Sequence, residues 1–317
     1  MKVILMEPLL ISDEYLQELA APLLAAGHSF TAIPERIPYR EQLIEAVREA
    51  DVLILGNQPL PAAVINDCYR LKMVSVAFTG VDHVALDSAE IRKITVCNAA
   101  GYATEAVAEH TFGLIFALYR RLSEGDRAVK SRGSSAGLIG RELKGKTLGL
   151  VGGGAIACRV AEIVRAFGCR VLVWSRSERP EMKELGAEYA ELPQLLQESD
   201  IVSLHLPLTA ETRGLIGADE LSLMKPDAVL INTARGPVAD TAALTAALNE
   251  GRIAGAALDV FDSEPPLDPD LPLLACPHLV LSPHLGYLTE EAMEQRARIA
   301  FDNVCRWLEG KPQNVIC

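Results

Sequence analysis

TLGLVGGGAIACRVAEIVRAFGCRVLVWSR, residues 147–176, alternates apolar runs with a glycine turn and a helical period. Leu148 to Val151 is an aliphatic run that meets a glycine cluster. A stretch of helical period follows to Phe167, then Gly168, then a second apolar run ending at Trp174. That order predicts strand, tight turn, helix and strand. Gly152, Gly154 and Ala157 occupy the G-x-G-x-x-G/A positions. The first permits the turn, the second lets backbone approach a pyrophosphate, and the small third residue lets the helix pack on the strand. Phosphates would sit on the helix N-terminus, where unpaired N–H groups and the dipole favour anions. The stretch predicts a dinucleotide-binding βαβ unit, with a glycine turn kept for steric reasons alone as the alternative.

An NAD site usually carries Asp or Glu at the end of the second strand, about 20 residues on, to bond the ribose 2′-hydroxyl. Ser175 stands there, followed by Arg176. A carboxylate would repel a 2′-phosphate, whereas a hydroxyl and a guanidinium can bond it in charge-assisted, forked geometry. The expectation is therefore NADP (NADPH) over NAD. On the other reading, Arg176 is a solvated loop charge, and Glu178 or another residue meets the ribose of NAD.

With 317 residues, half of them hydrophobic, the chain can bury substantial cores and is expected to form two domains. Aromatic residues make up only 5%, in keeping with α/β packing by Ala, Val, Leu and Ile. A net charge of −12 argues against a nucleic-acid or membrane-surface partner, since both attract basic faces. It does not argue against a small anionic substrate, which responds to local arginines. The seven cysteines form no C-x-x-C and no ligand-like pairing with histidine, so no metal is expected. They read as small buried residues in a reducing cytosol. Glu7 and Pro8 interrupt the apolar start, and no later apolar run suffices to span a bilayer. The expectation is a soluble, cytoplasmic protein.

Residues 1–100 alternate short apolar runs with amphipathic segments. Lys2–Met6, Ser29–Ile33, Val52–Leu55, Met73–Ala77 and Thr95–Cys97 are candidate strands. Ser12 can cap a helix running to Ala26 and closed by Gly27, and further helices are expected near Arg40–Ala50 and Ala62–Tyr69. The fourth strand ends in Phe78-Thr79-Gly80-Val81-Asp82. Loops at strand carboxyl ends are where open α/β sheets bind ligands, and Gly80 would let amides approach an anion. A plain glycine turn is the alternative. Thr104–Glu124 is expected as one long apolar helix, and Ser131–Ser135 as a Ser/Gly-rich connection. Beyond the fingerprint, Ile201–Leu204, Val229–Asn232, Ala256–Val260 and Leu279–Ser282 are strands. Asp240–Asn249 and Glu290–Glu309 are helices. The fold class expected is α/β, with two doubly wound parallel-sheet domains. A Rossmann NAD(P)-binding domain, residues 101–285, is inserted in a flavodoxin-like substrate domain, residues 1–100 with 286–317.

Three polar residues follow strands in the second half: Arg235 in Asn232-Thr233-Ala234-Arg235-Gly236, Glu264 before two prolines, and His284 in Ser282-Pro283-His284. Strand polarity can bring all three to the sheet's carboxyl edge. A guanidinium there can clamp a carboxylate, an imidazole can exchange a proton, and a carboxylate can fix the imidazole tautomer. Those are the parts needed for hydride transfer to a 2-keto acid. Each residue also has an ordinary reading, as a strand cap, a solvated loop acid and a structural histidine respectively.

With these motifs the chain resembles the D-isomer-specific 2-hydroxyacid dehydrogenases, which include glyoxylate/hydroxypyruvate reductases. The resemblance runs from the first strand to the last helix. It rests on LGLVGGGAIA, SDIVSLHLPLTAETRGLI, INTARG, ALDVFDSEPP and SPHLGYLTEEA, in that order and spacing. It implies an NAD(P)-dependent oxidoreductase acting between a small 2-keto acid and a D-2-hydroxy acid. In it Arg235 resembles the substrate-carboxylate arginine that also polarises the keto group, His284 the general acid, and Glu264 its partner. Thr79 and Gly80 match the loop whose amides hold the substrate carboxylate, and Tyr102 a substrate-contacting aromatic. Thr104, Gly152, Gly154, Ala155, Ile156, Ser175, Arg176, Pro207, Thr212, Thr233, Ala234, Asp259, His284 and Gly286 match cofactor-lining positions. The resemblance also implies a homodimer. Two departures stand out: Ser175-Arg176 replaces the NAD-type aspartate, and the connection before the Rossmann strand lacks the tryptophan many members carry. An NAD(P)-sensing corepressor-like protein and an NAD-linked dehydrogenase of a bulkier hydroxy acid are the alternative functions.

Overall fold

Runs of Val, Ile and Leu with no polar alternation cannot leave one face in water, so they form strands covered on both sides. In the computed structural model, which describes residues 1–317, such runs build two parallel sheets in two separate units. One unit comprises Met1–Ala103 with Leu288–Cys317, the other Thr104–Tyr287.

The first unit holds strands Lys2–Leu5 (β1), Ser29–Ala32 (β2), Val52–Leu55 (β3), Met73–Val76 (β4) and Thr95–Cys97 (β5). They pair in the order β2-β1-β3-β4-β5, all parallel, the flavodoxin-like order. Leu53, Leu55, Val74 and Val76 pack on one side with Leu60, Val64 and Ile65. Val52, Ile54 and Met73 face the other side, against Leu23, Phe301 and Val304. Phe301 and Val304 lie on the helix Glu290–Leu308, so the end of the chain completes the core its beginning opens. The last residues run along β5, with Ile316 N–H donating to the Val96 carbonyl and Val96 N–H to that of Cys317 (2.7 and 2.9 Å). That tail covers an edge otherwise open to unwanted pairing.

The second unit holds Thr147–Val151 (β6), Arg170–Trp174 (β7), Glu188–Tyr189 (β8), Ile201–Leu204 (β9), Val229–Asn232 (β10), Gly255–Leu258 (β11) and Leu279–Leu281 (β12). Its order is β12-β11-β10-β9-β6-β7-β8, every pair parallel. The order reverses between β6 and β9, the switch point where doubly wound sheets open a crevice beyond their carboxyl ends. At Gly149 a β-carbon would overlap Ser199 Oγ and Leu195, so the helix Leu192–Glu198 packs directly on β6.

One expected element needs correction, and one strand was not foreseen. The helix expected over Thr104–Glu124 ends at Tyr119, and a second, Leu122–Lys130, begins after Arg121, whose φ of 52° is left-handed. An apolar pattern carries no sign of a left-handed arginine, so the break was invisible. The two-residue strand β8 is too short to show a period. No helix is long and apolar enough to cross a membrane.

Candidate active site

The Gly152 to Gly154 turn lies between β6 and the helix Ala155–Ala166. Gly152 has φ +114°, and a β-carbon there would overlap the His205 carbonyl, so only glycine fits. Gly154 is the N-cap, offers no side chain to the first turn, and faces open space where a β-carbon would be. The N–H groups of Ala155, Ile156 and Ala157 therefore end at the turn with no intrahelical partner. Open space, glycine backbone and unpaired donors at a helix N-terminus together fit a pyrophosphate. Ala157 is fully buried at the helix–strand contact.

Ser175 and Arg176 follow β7, and Ser175 Oγ donates to the Ser177 carbonyl (2.6 Å). Beyond β9, Thr212 Oγ1 donates to the Pro207 carbonyl (2.7 Å), closing a short loop. Glu211 in that loop is held below the usual carboxylate range by the Thr209 hydroxyl and, more weakly, by the charge of Arg176.

Beyond β10, buried Asn232 accepts from Ala234 N–H (3.0 Å) and donates to the Arg235 carbonyl (3.0 Å), which folds Thr233–Arg235 back on the strand end. Thr233 Oγ1 lies 3.2 Å from Thr111 Oγ1, and Arg235 Nη1 donates to the Ala234 carbonyl (2.8 Å). Gly236 then passes against the backbone of Phe261–Asp262, which a β-carbon would overlap. This close approach sets the Arg235 turn directly beside the segment that leads to Glu264.

Beyond β12, His284 has φ 56°, which costs an L-residue about 1–2 kcal/mol. Its N–H offsets that cost by bonding the carbonyls of Asp259 and Ser282 (2.8 and 3.0 Å). Its Nδ1 is 3.1 Å from Glu264 Oε1, and the Tyr287 ring meets it edge-on at 5.3 Å. Nδ1 so engaged carries a proton toward the carboxylate, which leaves Nε2 to exchange one.

Asp259 is nearly inaccessible and accepts four hydrogen bonds, from His110 Nε2 (3.2 Å), Ser282 Oγ, Leu285 N–H (2.8 Å) and Gly286 N–H (2.8 Å). Burial alone would raise its pKa, but these donors outweigh burial and hold the carboxyl below its ordinary range. A β-carbon at Gly286 would sit 2.9 Å from Asp259 Oδ2, so glycine is needed for that approach. The expected residues Arg235, Glu264, His284, Asp259 and Gly286 thus stand on adjoining strand ends of one sheet, with a direct contact between His284 and Glu264.

Thr104 is the first residue of the helix Thr104–Tyr119. Thr79, Gly80 and Tyr102 belong to the first unit. Thr79 and Gly80 follow β4, while Tyr102 follows β5, its ring edge-on to Phe78 at 5.8 Å. Sequence reasoning missed His110, Ser282 and Asn232. Ser282 and Asn232 flank the motifs used, whereas His110 lies inside an apolar helix far along the chain from Asp259 and carried no local signal.

A parallel sheet thus carries a glycine turn at its switch point and an arginine, a carboxylate and a histidine along its carboxyl edge, the arrangement expected of a nicotinamide-dependent dehydrogenase. Residues 112–286 match the family described as D-isomer specific 2-hydroxyacid dehydrogenase, NAD binding domain. The chain is 45% identical over 290 residues to the glyoxylate reductase of Aeropyrum pernix, covering 88% of this chain and 86% of that one. It is 41% identical over 292 residues to the glyoxylate reductase of Thermococcus litoralis, covering 89% and 88%. A solved acyclic imino acid reductase in complex with NADPH and D-Arg superposes with a TM-score of 0.89 at 30% identity, covering all of both chains. The chain belongs to the D-isomer-specific 2-hydroxyacid dehydrogenase family. It is an NAD(P)-dependent enzyme, a 2-keto acid reductase.

Proposed function

We propose that the enzyme reduces a glyoxylate- or hydroxypyruvate-type keto acid to the D-2-hydroxy acid, with NADPH preferred over NADH. The observation that carries the reading is the His284–Glu264 pair, 3.1 Å apart, on the edge that also bears Arg235 and the Gly152–Gly154 turn. The reductases of Aeropyrum pernix and Thermococcus litoralis point to glyoxylate. Ser175 and Arg176, with no carboxylate at the end of β7, support NADPH, as does the NADPH complex of the imino acid reductase.

When bound, the reduced nicotinamide supplies a hydride to the keto carbon. Gly152, Gly154, Ala155 and Ile156 would hold the pyrophosphate, with Ser175 and Arg176 at the adenosine ribose. Thr104, Pro207, Thr212, Thr233, Ala234, Asp259 and Gly286 would line the rest of the dinucleotide. Thr79, Gly80, Tyr102 and Arg235 would bind the substrate. Arg235 binds the carboxylate and stabilises the alkoxide that develops on the keto oxygen, an interaction stronger in the transition state than in the ground state. His284 gives that oxygen the proton on Nε2, while Glu264 holds Nδ1–H and orients the ring. In oxidation the same nitrogen takes the proton back.

The protein would act as a homodimer. The helix Leu122–Lys130 buries none of its residues, and Leu122, Val129 and Ile139 stand exposed, as a face awaiting a second copy would. The test of the catalytic reading is Arg235→Ala. It should lower kcat/KM for glyoxylate by at least about a hundredfold while leaving NADPH binding, read by fluorescence, intact. Turnover within twofold of the parent would overturn the assignment.

A further inference from the structure

In the first unit, the loop after β4 is held by a chain of asparagines that the proposed reaction does not use. Asn98 Nδ2 donates to the Thr79 carbonyl (2.7 Å), and Asn98 Oδ1 accepts from Ala100 N–H (3.3 Å). The Asn98 backbone is gripped as well. Its N–H donates to the Asn314 carbonyl (3.0 Å), and its carbonyl accepts from Asn303 Nδ2 (2.8 Å). Asn314 Nδ2 closes the chain by donating to Asn303 Oδ1 (2.9 Å). Asn98 and Asn303 are 6% and 0% exposed, so their side-chain groups sit largely away from water, where a lost hydrogen bond is poorly replaced.

Next to this relay, Ala99 N–H donates to the Phe78 carbonyl (2.9 Å). Below the loop, the buried Arg296 guanidinium lies 5.0 Å from the Phe78 ring centre and donates to the Leu9 carbonyl (3.0 Å). A trans peptide is planar, and its C=O and N–H point in opposite directions. A donor that fixes the Thr79 carbonyl therefore also aims Gly80 N–H, and one that fixes the Phe78 carbonyl aims Thr79 N–H. Both carbonyls are held from the Asn98–Ala99 side, so the Thr79 and Gly80 N–H groups point away from it.

We infer that Asn98, Asn303 and Asn314 form a positioning relay through which the C-terminal segment sets the Thr79 and Gly80 amides, and with them the affinity for the substrate carboxylate. The inference rests on the proposed role of Thr79 and Gly80 in binding that carboxylate. Asn314 sits at φ 54°, a conformation glycine adopts freely, so Asn314→Gly removes the side-chain bond while keeping the backbone.

The test compares three variants in the full-length enzyme with glyoxylate. Asn98→Ala should raise KM about tenfold, the size of one buried hydrogen bond lost from a binding loop, with kcat and NADPH affinity within twofold of the parent. Asn314→Gly should raise KM by a smaller factor in the same direction, and it decides the matter alone where Asn98→Ala does not fold. Gly80→Pro, which deletes the amide donor, tests the loop itself. If Gly80→Pro raises KM while the asparagine variants do not, the relay is wrong. If Gly80→Pro leaves KM unchanged, the substrate role of the loop is wrong and the relay falls with it. A parallel loss of kcat, KM, NADPH affinity and melting temperature would show only a structural role, and that too would overturn the inference.

Discussion

Asp259→Asn tests how the catalytic edge is held. The carboxylate has two oxygens and four donors, with His110, Ser282 and Leu285 on Oδ1 and Gly286 N–H on Oδ2. An asparagine can keep its oxygen on the crowded side, but its NH2 then faces Gly286 N–H. Two buried donors oppose each other, at about 1–3 kcal/mol for each unsatisfied group, or about 2–6 kcal/mol in all. A domain of this size loses about 2–4 °C of melting temperature per kcal/mol, so a drop on the order of 10 °C is expected at pH 7. The pH dependence has a definite sign. The folded carboxyl lies below its ordinary pKa, so its stabilisation is present above the unfolded value and is lost as pH falls through the folded one. The gap between parent and variant should therefore be widest near neutrality and shrink as pH drops below about 4. Differential scanning calorimetry from pH 7 downward measures both. Because Leu285 and Gly286 adjoin His284, kcat should fall as well. A variant that melts within 2 °C of the parent at pH 7, or a gap that stays constant into acid, would show that the Asp259 carboxylate does not hold this edge.

Gly236→Ala should destabilise by about 1–3 kcal/mol and lower turnover, since the new methyl must push the Arg235 turn away from Phe261–Asp262; thermal unfolding and kcat/KM read both. Glu264→Gln keeps the shape beside His284 but removes the charge, so kcat should fall about tenfold or more with dinucleotide affinity unchanged in a binding titration. Ser175→Asp places a carboxylate where a 2′-phosphate would sit, and the NADPH-to-NADH ratio of kcat/KM should drop by about tenfold or more in parallel assays.

The parts legible in the sequence are those where backbone geometry leaves one choice of residue. Gly152 at φ +114° against the His205 carbonyl is such a place, and so is Gly236 against Phe261. The fully buried strands β3, β4, β9 and β10 were legible because short runs rich in Val, Ile and Leu, broken by at most one small polar residue, need cover on both faces. Local pattern failed where the partner lies far along the chain. His110 meets Asp259 across 149 positions, and Asn303 meets Asn98 across 205, so neither has neighbours that mark it. The break at Arg121 failed for another reason, since arginine is not a residue type that marks a left-handed backbone.

Reduction of a small 2-keto acid by a nicotinamide donor at the Arg235, Glu264 and His284 edge is open to direct assay. The most direct measurement is loss of nicotinamide absorbance with purified enzyme and NADPH or NADH against glyoxylate, hydroxypyruvate, pyruvate and a branched 2-keto acid. Turnover is expected, fastest with NADPH and with glyoxylate or hydroxypyruvate. Tight dinucleotide binding without turnover of any of the four acids would contradict it.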